Sequence, residues 1–273
     1  MAEMNSLTSV LHGRSLMGVF AHPDDESLAC GGLLARCAEL GVRVSILCAT
    51  RGEMGRGSVS DLSLVRTNEL ESAARALGVS DVLVLDYEDG MLAWAEPAKL
   101  EADIRDATIR FRPDVVITFG HDGLYWHPDH IAIHERTTAA VAALGDTAPA
   151  LYYVTMAPGR MRAVIDTVAA RIPPKGAPYS ILGVSDADAF GAAAAPPTLI
   201  LDVRACAARK LAALRCHRTQ IAGDALDLLS DEEARGLLGV EYFQCANVGS
   251  RADAFIERLA APPALRRGLA ADS

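Results

Sequence analysis

Leu16-Met17-Gly18-Val19-Phe20-Ala21-His22-Pro23-Asp24-Asp25-Glu26 is the stretch on which the reading of the chain turns. An apolar run of strand length, Leu16 to Phe20, passes directly into one imidazole and three carboxylates, a strand-to-helix corner. Two readings of this corner stand. A histidine and an aspartate three residues on can place nitrogen and oxygen on one divalent metal, with Asp24 between them left as a free base. Acidic residues are equally at home in the first turn of a helix, where they act as a cap. Crowded carboxylates repel unless something positive lies among them, which either a cation or the helix N-terminus supplies.

A second cluster bears on the choice. Val115 to Phe119 is a further apolar run, and its unbroken Val115-Val116-Ile117 fits a strand buried on both faces. After a loop at 120–126 comes His127-Pro128-Asp129-His130. Proline suits a first helical turn; with Pro128 there, His127 and His130 fall near one face and Ile131-Ala132-Ile133 continues the helix. Two strand ends, each followed by such a cluster, favour one shared metal site.

Outward from these corners the chain alternates β-rich runs with stretches of helical period. Strands are expected at Leu16–Phe20, Val42–Ala49, Val82–Asp86 and Asp114–Phe119, and helices at Ser27–Leu40, Ser63–Leu77 and Pro97–Phe111. That order predicts an α/β fold, Rossmann-like, with a mostly parallel sheet and helices on both faces. In open sheets of this class ligands bind beyond the carboxyl ends of the strands, where all the candidate chemistry falls. Further on, strands are expected at Leu151–Thr155 and Thr198–Val203, and helices at Met161–Ile172 and Arg204–Ile221. Ser230-Asp231-Glu232-Glu233 is a capping box, and Arg251–Leu259 is read as closing the fold. The chain is read as one domain over 1–273, with a core at about 15–246, an irregular segment at 156–197 and a tail at 261–273. The irregular segment is either a substrate cover or a solvated loop.

Gly31-Gly32 invites comparison with a dinucleotide-binding turn, but Gly-x-Gly-x-x-Gly is absent there and the acids would repel a pyrophosphate. The pair is better read as allowing close approach of the first helix. With 273 residues, 51% hydrophobic and 22% charged, the composition is that of an ordinary globular protein. A net charge of −9 argues against a nucleic-acid binder. Neither a signal peptide nor a run of membrane-spanning length is read, so a cytoplasmic place is expected. Six scattered cysteines without a Cys-x-x-Cys pair suit buried, reduced thiols.

The chain resembles the LmbE-like, PIG-L-type zinc-dependent N-acetylglucosaminyl deacetylases. The resemblance rests on Ala-His-Pro-Asp-Asp-Glu at 21–26 and His-Pro-Asp-His at 127–130. Thr50 to Gly55, Arg66 with Glu69, Asp89-Gly90, and Lys210, Ala213, Leu214, His217 and Gln220 support it. Chemistry and resemblance together imply His22, Asp25 and His130 as ligands of one Zn2+ per chain; iron, cobalt or nickel also accept this donor set. They imply a water activated by zinc, with Asp24 as its general base. His127, charged and supported by Asp129, would steady the oxyanion and protonate the leaving amine. Tyr125 is either a further oxyanion donor or a packed loop aromatic. His121 is weighed as an alternative ligand, and His12 and His134 are assigned to surface or packing.

The substrate that the resemblance implies is an N-acylated amino sugar or glycoconjugate. Arg51, Glu53, Arg66 and Asp89 are expected to contact it, with Asp122 in a neighbouring loop. Arg66 is weighed against a surface ion pair with Glu69, and Asp89 against an ordinary turn. His217 and Gln220 are left with helix packing or an interface as their simplest role. The loop before His127, Gly-His-Asp-Gly-Leu-Tyr-Trp, is bulkier than the family's glycine-rich version, and Met54 and Trp94 are expected to add an apolar wall. An amidase of thiol conjugates and a non-catalytic Rossmann-like binding protein are the alternatives. Homo-oligomers are frequent in the family, and no motif here reports on them.

Overall fold

The computed structural model describes residues 11–57, 59–249 and 254–260. Its centre is a seven-stranded sheet of β1 Ser15–Phe20, β2 Arg43–Thr50, β3 Asp81–Tyr87, β4 Val115–Phe119, β5 Ala150–Thr155, β6 Leu199–Asp202 and β7 Val240–Cys245. The spatial order is 3-2-1-4-5-7-6, and β7 alone runs opposite to the other strands. β1, β2 and β4 are buried along almost their whole length, the pattern of strands covered on both faces, whereas β3 at the edge is half-buried.

The longer helices are α1 Asp25–Glu39, α2 Leu62–Leu77, α3 Pro97–Phe111, α4 Pro128–Ala142, α5 Arg160–Arg171, α6 Ala207–Cys216 and α7 Asp231–Leu237, with single turns at Gly123–Trp126 and Arg218–Ile221. Local chemistry sets their ends. Pro97 and Pro128 open α3 and α4, Gly78 at φ +79° ends α2, and the Ser230–Glu233 capping box starts α7. Right-handed crossovers from β1 to β2 to β3 and, in the opposite direction, from β3 to β4 to β5 place α1 and α2 on one face and α3 and α4 on the other. The contacts agree: α1, α2 and α6 pack on one another, and α3 packs on α4. The chain reverses direction between β1 and β4, so their following loops part and leave a crevice at the switch point. His22 follows β1 and His130 follows β4.

The first-strand corner is tied to the far end of the chain by a buried ion pair. α1 kinks at Cys30, whose φ and ψ are −148° and 24°. Just beyond it, the amides of Gly32 and Leu33 donate to the two oxygens of Glu241 on β7, each at 2.8 Å, and Lys210 Nζ on α6 donates to Glu241 at 2.7 Å. Gly32 permits the approach, since a Cβ there would lie 2.5 Å from Val203 Cγ2 and 2.9 Å from Glu241 Oε1.

Expected and observed elements agree to within two residues through β5. The helix expected over 204–221 is instead broken at His217, with α6 before it and a short turn, Arg218–Ile221, after it. The break has a cause. The His217 ring is drawn to Glu26 at 2.8 Å, and the amide and hydroxyl of Thr219 donate to Glu69 at 2.9 and 2.7 Å, in competition with continued helix. β7 has no counterpart among the expected elements, because its buried Glu241 interrupts the apolar pattern. The tail at 261–273 and residues 251–253 lie outside the described residues.

The segment at 156–197 contains α5 and a tight turn in which Ile181 and Val184 exchange backbone hydrogen bonds of 3.0 and 2.9 Å. The Gly191 amide ties it to the Leu124 carbonyl at 2.9 Å, and Ser180 Oγ donates to buried Asp224 at 3.0 Å. Burial pushes the Asp224 carboxyl up to about 6, against hydrogen bonds from Leu226, Ser180 and Gly183 and the Arg56 charge. The native state therefore binds more protons than the unfolded chain between about pH 4 and 6, and stability from this group falls as pH rises through that window. Relative to wild type, Asp224→Asn is expected to be more stable at pH 8 than at pH 4.5 by roughly 2 kcal/mol, read by urea unfolding at both pH values. A difference independent of pH would refute this.

Candidate metal centre and active site

β1 ends on His22, and the turn into α1 brings Asp25 back so that its Oδ2 accepts the His22 amide at 2.7 Å. α4 supplies His130 from across the switch point. His22 Nδ1 lies 3.2 Å from His130 Nε2, His130 Nε2 lies 3.1 Å from Asp25 Oδ1, and His22 Nδ1 lies 3.5 Å from Asp25 Oδ2. Ligands bound at about 2.0–2.1 Å to a tetrahedral ion are roughly 3.3 Å apart, and the two imidazole nitrogens and the Asp25 carboxylate, which meets His130 through Oδ1 and His22 through Oδ2, lie at such spacings.

The remote ring nitrogens are anchored as metal ligands require. His22 Nε2 meets Asp89 Oδ1 at 3.0 Å and Asp129 Oδ2 at 3.2 Å, and His130 Nδ1 meets the Gly123 carbonyl at 3.0 Å. The His130 ring also stacks on Phe119, with centroids 4.0 Å apart. Burial disfavours a proton on His22, but Asp129, Asp25 and Asp89 outweigh it and raise the imidazole well above its ordinary range. Asp25 is likewise penalised by burial, yet His130 and His22 hold it well below the usual carboxylate range. The cluster calls for positive charge, and a divalent ion answers the same demand.

Two other groups share His22. His127 joins His22 and His130, and Asp89 and Asp129 join His22, with ligand atoms within 4.8 Å of one another in each set. The carboxylates of the second set are committed elsewhere: Asp89 Oδ2 accepts the Met54 amide at 2.9 Å, and Asp129 accepts those of Gly90 and Leu92 at 2.8 and 3.1 Å.

Asp24 lies beside the ligands at φ 120°, outside ordinary L-residue territory. Its Oδ2 accepts Arg66 Nη2 at 3.0 Å, and its amide donates to Glu26 Oε2 at 3.0 Å. Burial pushes the carboxyl up to about 6, with Arg66 opposing and Asp25 adding to the rise. Of the six non-glycine residues at positive φ among the described residues, Asp24, Leu124, Trp126 and Leu182 lie in or beside this site. Strain of that kind persists where the surroundings fix it.

Several expected roles change. The Asp129 carboxylate does not bond His127; it serves His22 and two backbone amides, while the Asp129 backbone amide donates to His127 Nδ1 at 3.2 Å. That amide leaves the proton of a neutral His127 on Nε2. Burial, His130 and His22 lower the His127 imidazole to about 4, which favours its neutral form, where a charged one is expected from the sequence. Arg66 is not a surface ion pair; it lines the cavity, and its Nε has no hydrogen-bond partner among the described residues. It is buried, and besides Asp24 it bonds the Gly52 and Pro23 carbonyls at 2.7 and 2.5 Å. Gly52, at φ +67°, makes room for it, since a Cβ there would fall 2.3 Å from Arg66 Nη1.

Arg51 pairs with exposed Asp86 at 3.1 Å, and Glu53 accepts the Asp89 amide at 2.7 Å; neither lines the pocket. Asp89 does line it, although both its oxygens are engaged. Tyr125 lines it too, its phenol pushed well up by burial and by Asp25, with no hydrogen bond from its hydroxyl among the described residues. His121 is exposed and apart from the cluster.

The late motif returns to the site. His217 holds Glu26 at 2.8 Å, which in turn accepts the Asp24 amide, and the Gln220 side chain pairs with both the amide and carbonyl of Arg56 at 3.0 and 2.9 Å. Arg56 and Phe190 escape sequence reasoning, since only the folded chain brings Arg56 to Gln220 and Phe190 to Tyr125. The cavity above the cluster is about 420 Å3, of the size of small-molecule sites. Met54 and Arg56 form one wall, and Leu182, Val184 and Phe190 of the 156–197 segment form another. Trp94, expected on that wall, lies outside the pocket.

A parallel sheet with a His/Asp cluster at its switch point defines a class of α/β proteins that can hold a metal ion and present it to a small molecule. Residues 17–141 match the family model described as PIG-L, GlcNAc-PI de-N-acetylase. The "1D-myo-inositol 2-acetamido-2-deoxy-alpha-D-glucopyranoside deacetylase" of Acidothermus cellulolyticus is 36% identical over 260 residues, covering 84% of this chain and 88% of its own. The chain belongs to the PIG-L family. Among solved structures, the conserved protein TT1542 of Thermus thermophilus superposes with a TM-score of 0.56 at 26% identity, over 86% of this chain and 95% of that one. The 4-carboxy-2-hydroxymuconate hydratase of Pseudomonas putida shares the fold at a TM-score of 0.58 and 19% identity, over 87% and 99%. One fold thus carries proteins of different activities, and the reaction has to be argued from the site.

Proposed function

We propose that the chain is a metal-dependent N-deacetylase of an amino sugar conjugate, with His22, Asp25 and His130 as the ligands of a single zinc ion. The observation that carries this is the set of two imidazole nitrogens and the Asp25 carboxylate at 3.1–3.5 Å beside Asp24, whose carboxyl burial pushes up to about 6. Two imidazoles and a carboxylate suit zinc, and the ion when bound supplies a Lewis acid that acidifies water and polarises the amide carbonyl.

Asp24 accepts the proton of the attacking water, Arg66 fixing one oxygen so that the other faces the cavity. His127, with its Nδ1 occupied by the Asp129 amide, donates from Nε2 to the carbonyl oxygen as that oxygen becomes negative; a neutral imidazole suffices for this. The Tyr125 hydroxyl is the second donor. The C–N bond then breaks, the proton held on Asp24 passes to the leaving amine, and the acyl group departs as carboxylate.

The names of the relatives support an N-acetylglucosamine linked to inositol as the first substrate to try. Among the described residues no helix is long and apolar enough to cross a membrane, and one domain in the cytoplasm is part of the same reading.

The test is amine release from the inositol conjugate by metal-analysed protein. Wild type is expected to hold about one metal per chain and to turn over, and Asp25→Ala to lose at least tenfold in metal affinity together with activity. Zinc-loaded wild type that releases no amine from any N-acetylglucosamine conjugate would sink the activity. Unchanged zinc affinity in Asp25→Ala would sink the ligand set.

A further inference from the structure

Asp24 is fixed by groups that lie outside the metal cluster. Its carbonyl accepts the amides of Ser27 and Leu28 at the start of α1, each at 3.1 Å. Its own amide, at φ 120°, donates to Glu26 Oε2 at 3.0 Å. A residue in that region keeps its conformation only where its surroundings impose it, and a hydrogen bond to a carboxylate is of the stronger kind. Glu26 is fixed in turn. Its Oε1 accepts the Ser27 hydroxyl at 2.5 Å and His217 Nε2 at 2.8 Å, and all three residues are at most 1% exposed. Facing a carboxylate, Nε2 carries the ring proton. The rest of the fold gives way to this bond: α6 breaks at His217, and His217 Nδ1 is buried with no hydrogen-bond partner among the described residues. An apolar side chain would fill the same space without an orphaned nitrogen, so packing alone does not account for an imidazole there.

We infer that His217 is a positioning residue for the general base: through Glu26 it holds the Asp24 backbone so that the carboxylate oxygen not bound by Arg66 faces the cavity, a role that rests on the deacetylase reading above. The effect is confined to the base, because other bonds hold the ligands. Asp25 Oδ2 accepts the His22 amide and Asp25 Oδ1 meets His130, while Asp89 and Asp129 anchor His22 Nε2 and the Gly123 carbonyl anchors His130 Nδ1. None of these bonds includes Glu26 or His217. Without the His217 donor the buried Glu26 carboxylate is left short of a partner. It turns towards another and releases the Asp24 amide, so the base moves while the ligands stay.

In zinc-loaded protein, His217→Leu is expected to lower kcat by about 10- to 100-fold, the range for outer-shell partners, with KM and zinc affinity within about threefold of wild type. His217→Gln, whose side-chain amide nitrogen falls near the place of Nε2, is expected to recover most of that loss. Added to Asp24→Asn, His217→Leu is expected to lower kcat no further, because residues that act as a unit are not additive. Without reference to turnover, the Asp24 amide is expected to exchange its hydrogen at least about tenfold faster in His217→Leu than in wild type or His217→Gln, followed by NMR. A wild-type kcat in folded His217→Leu would overturn the inference, and so would a further loss in the double variant. Zinc affinity lost in step with kcat would make His217 a support of the ligands, and His217→Gln as slow as His217→Leu would make the ring itself the active part; either result overturns the proposal. If His217→Leu does not fold, Ser27→Ala removes one bond from the same Glu26 oxygen and is expected to lower kcat about fivefold with faster Asp24 exchange, wild-type values of both being the refutation. If zinc-loaded wild type releases no amine, the deacetylase reading falls, and the hold of His217 on Asp24 stands or falls on the exchange rates.

Discussion

Asp24→Asn is expected to lower kcat by about 10³-fold, within the 10²–10⁴ that a positioned base contributes, while zinc stoichiometry and affinity stay at wild-type values. The substitution isolates the base because little else changes. Asparagine tolerates positive φ better than other non-glycine residues, so the backbone at φ 120° is kept where alanine would add strain. Its side-chain oxygen still accepts Arg66 Nη2, and the amide bond to Glu26 is untouched. Arg66 keeps the Gly52 and Pro23 carbonyls and has Asp89 at 3.9 Å, so its buried charge retains partners. What is lost is the oxygen that takes the proton. Activity within threefold of wild type in the zinc-loaded variant would move the base elsewhere, whereas lost zinc would make Asp24 a ligand.

How far the site could be read from the chain depended on the distance over which its parts act. His22, Asp25 and His130 stood out because metal donors of suitable type follow two strand ends, and a parallel sheet carries strand ends to one edge. The partners of Arg66 and Glu53 were not legible because sequence shows that a charged residue is near a site, not which way it faces. Arg66 sits on α2 with its guanidinium turned inward to Asp24, and Glu53 turns to the Asp89 amide. Asp129 illustrates the same limit: adjacent to His127 in sequence, it reaches across to His22. His217 was visible only as an unexplained match, since its partner Glu26 lies 191 residues away. The break after α6 was hidden for the same reason, being imposed by tertiary bonds to Glu26 and Glu69 and not by a local helix breaker.

Lys210→Met is expected to destabilise the fold by about 3–5 kcal/mol, because it leaves the Glu241 carboxylate buried without its counter-charge. Lys210 and Glu241 are both nearly inaccessible, at 4% and 3%, and their 2.7 Å contact is reinforced by the Gly32 and Leu33 amides on the other lone pairs. Those amides are released by the kink at Cys30, so the carboxylate acts as the cap of the second half of α1. Adding Glu241→Gln to Lys210→Met should recover at least about 1 kcal/mol, since glutamine still accepts one amide and carries no charge; urea unfolding of the four proteins gives the coupling directly. Additive losses would show that the pair does not act as a unit. The consequence reaches the metal centre. Asp25 and Glu26 occupy the first turn of α1, ahead of the kink, and the direction in which that turn leaves β1 is set by where the second half is held. Loosening Lys210 should therefore weaken zinc binding although Lys210 touches no ligand, and the double variant should restore affinity in step with stability.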